Sequence, residues 1–273
     1  MSIITALVLG IVQGITEFLP ISSTGHLILV PYIFHWEIPS LSFDAILHLG
    51  TLFAIVIFFW RDWIKIILSL WSDLKHKNWR FAQMKFESRL GILILIGCLP
   101  AASLGLIFQS YIESTFRSPL SVATSLILVA LLMFWVEKKG QVLNPLKKFK
   151  PLNALTVGVF QSLALVPGVS RSGITILGGM LSGLTRQEAA RFSFLLATPV
   201  ILGAGLESLL TAVKTEGVGF FSIPLVVGLL ASSATGFLTI RFLLNYLKEK
   251  TLLIFAVYRI LLAALILILF FAS

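Results

Sequence analysis

Residues 13–26 read Gln-Gly-Ile-Thr-Glu-Phe-Leu-Pro-Ile-Ser-Ser-Thr-Gly-His, and residues 167–175 read Pro-Gly-Val-Ser-Arg-Ser-Gly-Ile-Thr. Both polar strings are surrounded by apolar sequence, so ionisable groups and hydroxyls lie where lipid-facing side chains are expected. Ionisable groups within a membrane are costly and usually face a cavity or a partner. Glu17, His26 and Arg171 are therefore candidates for function.

The composition indicates a polytopic membrane protein. Of the 273 residues, 58% are hydrophobic and 12% are charged, whereas soluble domains carry about 25% charged residues. The single cysteine, Cys98, lies in an apolar run and excludes a disulfide framework or a cysteine-based metal site. The net charge of +9 comes mainly from short loops beside apolar spans, a pattern that reflects membrane orientation rather than nucleic-acid binding.

Six apolar segments have the roughly 17–25 residues that a membrane-crossing helix needs. They are Phe43–Trp60, Leu90–Phe108, Leu120–Val136, Phe192–Thr211, Ser222–Ile240 and Thr251–Phe271. Two further regions, Ile3–Phe34 and Ala154–Leu184, are broken by the polar strings into halves too short to cross. The sequence therefore predicts an all-α polytopic membrane protein with six full transmembrane helices and two re-entrant helical hairpins.

Loop charge predicts the orientation of these elements. Seven Lys or Arg residues lie in 61–89, five in 137–152, two in 185–191 and three in 241–250. The positive-inside rule places all four loops in the cytoplasm. The first hairpin then enters from outside and the second from inside.

This orientation predicts an inverted repeat of one hairpin plus three helices within a single membrane domain. The halves are about 1–137 and 151–273, and the basic cytoplasmic loop 137–152 links them. At an offset of 148, Gly10, Gln13, Ser22 and Gly25 match Gly158, Gln161, Ser170 and Gly173. Broken helices of inverted repeats typically meet near the midplane and form the site.

The polar strings have the residue types of an anion site. Two helix N-termini at one depth would direct free N–H groups at a ligand, and the fork of Arg171 suits a phosphate. Glu17 shares a helix face with Gln13; it could hold a divalent cation or act as general acid or base. His26 could be a nucleophile or a base. Together these groups favour phosphoryl transfer over acyl transfer.

Four further ionisable residues fall within the spans and are weaker candidates for substrate contact. They are Asp44, His48, Glu207 and Arg259. Asp44 and His48 are four positions apart, so the two side chains could also pair with each other.

At the two polar strings the chain resembles the undecaprenyl pyrophosphate phosphatase family, the integral membrane enzymes linked to bacitracin resistance. The resemblance rests on Gln13-x-x-x-Glu17 with its continuation Phe-Leu-Pro-Ile-Ser-Ser-Thr-Gly-His26, and on Pro167-Gly-Val-Ser-Arg-Ser-Gly-Ile-Thr175. Phe59-Trp60-Arg61, Phe192–Ala197 and Tyr258-Arg259 are also family-like, so the likeness covers nearly the whole chain. The chain departs from the two-glutamate form of the first motif because it has Gln13.

The resemblance implies hydrolysis of undecaprenyl diphosphate to the monophosphate and inorganic phosphate, which recycles the lipid carrier for peptidoglycan synthesis. It implies Mg²⁺ or Ca²⁺, held by Glu17 and Gln13, and a site that faces outward from the bacterial cytoplasmic membrane. The expected catalytic residues are Glu17, His26, Ser23 and Arg171, with either His26 or Ser23 as the nucleophile. The residues expected to contact substrate are Gln13, Thr24, Ser170, Ser172 and Thr175.

The alternative function is a polyprenyl-phosphate flippase or secondary transporter, because inverted repeats with broken helices are typical of transporters. A structural scaffold protein of the membrane is a third hypothesis, but it leaves the buried Glu17, His26 and Arg171 unexplained. The expected partners are the polyprenyl diphosphate lipid and the membrane lipids, without nucleic acid. A homodimer is left open.

Overall fold

The computed structural model describes residues 1–37, 41–78, 80–116, 118–139, 145–216 and 222–272. Within these residues the chain forms eleven α-helices, two short 3-10 turns and no strand. The helices are α1 (Ile3–Phe18), α2 (Ser23–Ile33), α3 (Leu41–Phe58), α4 (Trp60–Lys75), α5 (Phe86–Phe116), α6 (Pro119–Lys139), α7 (Pro151–Leu163), α8 (Arg171–Leu181), α9 (Arg186–Glu216), α10 (Ile223–Tyr246) and α11 (Leu253–Ala272). The 3-10 turns are Phe81–Gln83 and Leu146–Lys148. Residues 140–144 of the predicted linking loop lie outside the described residues.

The long helices confirm a multi-pass membrane protein. Among the described residues α5, α6, α9, α10 and α11 are long and apolar enough to cross a membrane, and α3 with α4 forms a sixth candidate that is bent by 71°. Helices α5 and α9 each have 31 residues and extend beyond the predicted Leu90–Phe108 and Phe192–Thr211. Hydropathy marks only the part of a helix in hydrocarbon, whereas the helix itself continues past it.

The two broken regions form pairs of short helices. α1 and α2 have 16 and 11 residues, and α7 and α8 have 13 and 11. At 1.5 Å per residue even α1 is only about 24 Å long, less than the roughly 30 Å hydrocarbon core. α1 packs against α2, and α7 packs against α8. The sequence of the second string predicts a tip over 170–173 and a return helix from Thr175, but Ser170 caps α8 and this helix already begins at Arg171.

Close glycine contacts attach both hairpins to the bundle. A Cβ added to Gly10 of α1 would lie 2.5 Å from the carbonyl oxygen of Gly228 on α10, and one added to Gly158 of α7 would lie 2.5 Å from that of Gly97 on α5. Small residues of this kind let membrane helices approach closely. Both hairpins are therefore held in place through a glycine at the corresponding position of their first helix.

Helix α4 has the amphipathic pattern of a helix in the headgroup region. Trp60, Ile64, Ile67 and Trp71 are exposed along it, at the three- to four-residue spacing of one helix face. Such a face is suited to lying at the boundary between lipid and water. Its Asp62 forms an ion pair with Arg191 of α9, which ties α4 to the bundle.

Candidate active site

The tips of the two hairpins have the same unusual backbone. Ser22 has φ 74° and ψ 102°, and Ser170 has φ 72° and ψ 109°. Each serine caps the helix that follows: its Oγ accepts from the N–H of Gly25 at 3.5 Å in the first tip and of Gly173 at 3.2 Å in the second. A positive φ costs a non-glycine residue about 1–3 kcal/mol, so each tip must be held in place by its surroundings.

A polar cavity of about 430 Å³ lies between the two tips, α3 and α9. Its polar lining residues come from both hairpins and from both helices: Thr16, Glu17, Ser22, Ser23, Thr24, Asp44, His48, Ser170, Arg171 and Ser208. The cavity therefore unites two strings that are about 150 positions apart in the sequence.

An ion pair joins the first hairpin to the second. Arg171 Nη2 donates to Glu17 Oε1 at 2.8 Å, and the exposed fractions of the two side chains are 13% and 7%. Arg171 Nη1 also donates to the backbone carbonyl of Ser193 at 3.5 Å. A buried carboxylate is stable only when it is paired in this way, so each of the two side chains depends on the other.

Ser23 lies beside the carboxylate of Glu17. It is the first residue of α2, and its Oγ donates to Glu17 Oε2 at 2.8 Å. A hydroxyl within hydrogen-bond reach of a carboxylate that a third group orients is the geometry of an activated nucleophile. Arg171, on the other oxygen of Glu17, is that third group.

Asp44 and His48 extend the polar lining along α3. His48 Nε2 lies 3.7 Å from Glu17 Oε2, and its Nδ1 is hydrogen-bonded to the backbone carbonyl of Asp44 at 2.8 Å. The sequence signal for both residues was their four-residue spacing inside an apolar span, but it did not distinguish them from Glu207. Glu207 is exposed and does not line the cavity.

His26 is not brought into the polar cavity. It lines a separate, mostly apolar groove of about 450 Å³ between α1, α10 and α11. Its Nδ1 is 2.7 Å from the backbone carbonyl oxygen of Ser22, and its Nε2 is 2.7 Å from the hydroxyl of Tyr258. Both ring nitrogens are therefore engaged away from Glu17 and Arg171.

The other predicted residues divide into lining and supporting groups. Thr24 and Ser170 line the cavity. Ser172 Oγ donates instead to the backbone carbonyl of Leu19 at 3.1 Å and so links the two tips. Thr175 Oγ1 donates to the Arg171 carbonyl at 2.7 Å, inside the second hairpin. Gln13 is fully buried behind the cavity, and its Nε2 donates to Glu17 Oε2 at 3.2 Å.

Arg259 of α11 holds both tips together. Its side chain is fully buried; Nη1 donates to the Pro20 carbonyl of the first tip at 3.2 Å, and Nη2 to the Gly168 carbonyl of the second tip at 2.9 Å. Further bonds reach the carbonyls of Ser125, Leu126 and Val169. The sequence signal was an arginine in the middle of an apolar span, which made Arg259 a weaker candidate for substrate contact and did not identify these carbonyls as its partners.

The donor set suits a cation that arrives with a phosphate ligand. Within the described residues no three His, Cys, Asp or Glu side chains cluster as a metal cage. Glu17 and Asp44 line one cavity, and Gln13 Oε1 is a buried oxygen without a hydrogen-bond partner. Mg²⁺ is commonly held by one or two carboxylates plus substrate phosphates, and this set of oxygens fits that mode.

Comparisons with known proteins find similar sequences along nearly the whole chain. A family model described as bacitracin resistance protein BacA matches residues 6–265. The chain is 43% identical over 270 residues to the undecaprenyl-diphosphatase of Moorella thermoacetica, covering 99% of this chain and 98% of that protein. It is 41% identical to the undecaprenyl-diphosphatase of Thermodesulfovibrio yellowstonii (97% and 96% covered) and 42% identical to that of Chloroherpeton thalassium (98% and 96% covered).

Proposed function

The chain belongs to the bacitracin resistance protein BacA family, and on that premise we propose that it hydrolyses undecaprenyl diphosphate to undecaprenyl phosphate and inorganic phosphate at the cavity between the hairpin tips. The observation that carries this assignment is the hydrogen bond of 2.8 Å from Ser23 Oγ to Glu17 Oε2, beside the guanidinium of Arg171. Hydrolysis would recycle the lipid carrier of peptidoglycan synthesis and so underlie bacitracin resistance.

In this mechanism Ser23 is the nucleophile and Glu17 the base. Ser23 Oγ attacks the terminal phosphorus, the bridging P–O bond breaks, and polyprenyl monophosphate leaves. Glu17 takes the proton of the hydroxyl and gives it to the leaving oxygen. Water then attacks the phosphoserine; Glu17 takes a proton from that water and returns it to Ser23 Oγ as inorganic phosphate departs.

Arg171 and the tip hydroxyls bind the diphosphate. Phosphoryl transfer depends mostly on placing donors and positive charge around the transferring group. Arg171, at the N-terminus of α8, offers its bidentate fork together with the positive end of the helix dipole. Thr24 and Ser170 line the same cavity as hydroxyl donors, whereas Ser172 and Thr175 support the tip from behind.

A divalent cation, Mg²⁺ or Ca²⁺, completes the proposal. Glu17 would hold it, and Gln13, which lies behind Glu17 and outside the cavity lining, would support Glu17 through its Nε2 rather than reach the cation. The cation would supply neutralisation of the phosphate charge. Because Gln13 is uncharged, this chain offers a single carboxylate at the first motif and would bind the cation mainly through the substrate's own phosphates.

The site would face outward from the cytoplasmic membrane. Asp44 lies near the start of α3 and Ser208 in the last third of α9. Both helix ends adjoin the weakly basic loops 27–42 and 212–221, which contain only Lys214. The positive-inside rule leaves such loops outside, and the cavity lies at that end of both helices.

The prenyl chain would leave the cavity along an apolar groove of about 650 Å³ between α6 and the second hairpin. Val166 lines both the groove and the polar cavity. The groove extends from Ser118, at the predicted outer end of α6, to Leu132, about two thirds of the way along that helix, so it begins at the outer side of the membrane and continues past its middle. A lipid whose head is in an outward-facing site inserts its tail from that side.

We also propose the inverted repeat as the architecture of this site. The matching backbones of Ser22 and Ser170, and the matching glycine contacts of Gly10 and Gly158, support it. An experimental structure whose halves superpose poorly after a twofold rotation in the membrane plane would contradict it. A homodimer stays a prediction, which light scattering on the purified protein tests.

The experiment is phosphate release from undecaprenyl or farnesyl diphosphate by the purified full-length protein. We expect release with Mg²⁺ or Ca²⁺ and its loss with chelator. Absence of release with both cations would contradict the phosphatase. The flippase alternative is not favoured, because the relatives are named undecaprenyl-diphosphatase; it predicts lipid translocation by wild-type protein without phosphate release.

A further inference from the structure

The first hairpin tip is braced from α11 by two side chains in series. Tyr258 contributes its hydroxyl, 2.7 Å from His26 Nε2, and the two ring planes lie within 5° of each other. His26 Nδ1 is in turn 2.7 Å from the carbonyl oxygen of Ser22. Ser22 is the residue with φ 74°, and the next residue is Ser23.

The positions of the protons in these two hydrogen bonds follow from which of the atoms can only accept. A backbone carbonyl can only accept, so His26 Nδ1 must carry a proton and donate it to Ser22. In the neutral ring Nε2 is then an acceptor, and the hydroxyl of Tyr258 donates to it. Tyr258 is partly exposed in an apolar groove, where an unpaired hydroxyl would be costly. The two hydrogen bonds therefore give both ring nitrogens of His26 and the hydroxyl of Tyr258 a partner. They also fix the imidazole in a single tautomer.

The second tip has the same backbone without this brace. At the offset of 148, Ser170 corresponds to Ser22, Arg171 to Ser23, and Ile174 to His26. Ile174 cannot bond a carbonyl through its side chain. The second tip presents a long guanidinium that can adjust its own position, whereas the first presents a short hydroxyl whose place depends wholly on the backbone. A brace is therefore needed where Ser23 is.

We propose that Tyr258 is a positioning residue that acts through His26 to fix the backbone of Ser22 and so aim the Ser23 hydroxyl at phosphorus. This inference rests on the proposed function. It gives His26 a role that requires no contact with substrate. A nucleophile misplaced by a fraction of an ångström reacts more slowly but does not weaken substrate binding. Loss of the Tyr258 hydroxyl should therefore lower kcat and leave KM unchanged.

The test compares Tyr258→Phe with Tyr246→Phe in the full-length protein. Tyr246 lines the same groove and packs against Phe242 and Phe255, so its variant is a matched loss of one hydroxyl. We expect Tyr258→Phe to lower kcat for phosphate release from farnesyl diphosphate about 3- to 10-fold with KM unchanged, the effect of one hydrogen bond. Tyr246→Phe should stay within about twofold of wild type in both constants.

Two further readouts separate positioning from a general loss of structure. Hydrogen exchange of a peptide that covers residues 22–27 should quicken in Tyr258→Phe and not in Tyr246→Phe. In a His26→Gln background, Tyr258→Phe should lower kcat no further, because the path through the imidazole is already broken. Additive losses of kcat would overturn the proposal.

The outcomes also separate this inference from the proposed function. If wild-type protein releases no phosphate, the phosphatase assignment fails, and hydrogen exchange still decides whether Tyr258 braces the tip. If wild-type protein is active but Tyr258→Phe matches Tyr246→Phe in kcat or in exchange, the brace is overturned while the phosphatase stands.

Discussion

Removal of Arg171 should destabilise the protein, and neutralising Glu17 should then restore part of the stability. In Arg171→Ala the carboxylate of Glu17, whose side chain is only 7% exposed, loses its partner. Breaking a buried pair in this way costs about 3–5 kcal/mol. At roughly 2–4 °C per kcal/mol for a chain of this size, the melting temperature should fall by about 6–20 °C.

The double variant Glu17→Gln/Arg171→Ala leaves no buried charge at this place. Its melting temperature should recover at least half of the loss, while phosphate release stays abolished because both proposed functional groups are gone. Recovery of the melting temperature without recovery of activity distinguishes the loss of charge pairing from damage to the hairpins, since damage to the hairpins would persist in the double variant.

The assay is thermal unfolding of purified protein in one detergent, followed by tryptophan fluorescence, with Arg191→Ala as the matched control. Arg191 also loses a carboxylate partner, Asp62, but the exposed fractions there are 43% and 29%. An exposed pair contributes about 0–1 kcal/mol, so the control should melt within a few degrees of wild type. Equal melting temperatures of Arg171→Ala and Arg191→Ala would refute the reasoning. So would a double variant whose melting temperature is no higher than that of Arg171→Ala.

Three further outcomes follow from the same geometry. Ser23→Ala should lower kcat by roughly 10³-fold or more, as expected for a nucleophile, while the loss of its hydrogen bond to Glu17 lowers the melting temperature by only a few degrees; residual activity above a tenth of wild type would remove Ser23 from that role. Leu128→Trp, which fills the groove between α6 and the second hairpin, should raise KM for undecaprenyl diphosphate about tenfold and leave farnesyl diphosphate unaffected, and an equal effect of Ile254→Trp in the groove between α1, α10 and α11 would contradict the proposed tail path. Arg259→Met should lower the melting temperature by about 4–12 °C, because roughly 2–3 kcal/mol of hydrogen bonding to the two tips is lost. A melting temperature equal to that of the wild type would show that the hydrogen bonds from Arg259 to the tip carbonyls do not stabilise the protein.

Local sequence predicted the architecture well because helix formation in a membrane depends on local properties. Apolar run length identified the crossing helices, and Pro20 and Pro167 with the serines after them identified the breaks. The missed boundaries of α5 and α9 have one cause: both helices continue past their apolar stretches, because hydropathy marks only the part of a helix that lies in hydrocarbon. Helix α8 begins at Arg171 because Ser170 caps it.

The sequence predicted most of the residue types that line the candidate site but only part of their arrangement. Polar side chains within apolar sequence need hydrogen-bond or ionic partners, so Glu17, Ser23 and Arg171 could be singled out from their positions alone. Which atoms become their partners depends on the rotation of each helix and on contacts with distant parts of the chain. His26 was an equal candidate for nucleophile in the sequence, yet its imidazole points to Tyr258, 232 positions away. Gln13 lies behind Glu17 rather than in the cavity.

The sequence by itself thus determined the membrane class, the crossing helices, the two broken regions and the short set of costly polar residues, because each follows from the free energy of transferring a side chain or a peptide group into lipid. Only the tertiary structure decided that Glu17 meets Arg171, that His26 meets Tyr258, and that Arg259 joins the two tips. Those partners are about 90 to 240 positions apart along the chain, and only the packing of helices from both halves brings their polar atoms within bonding distance.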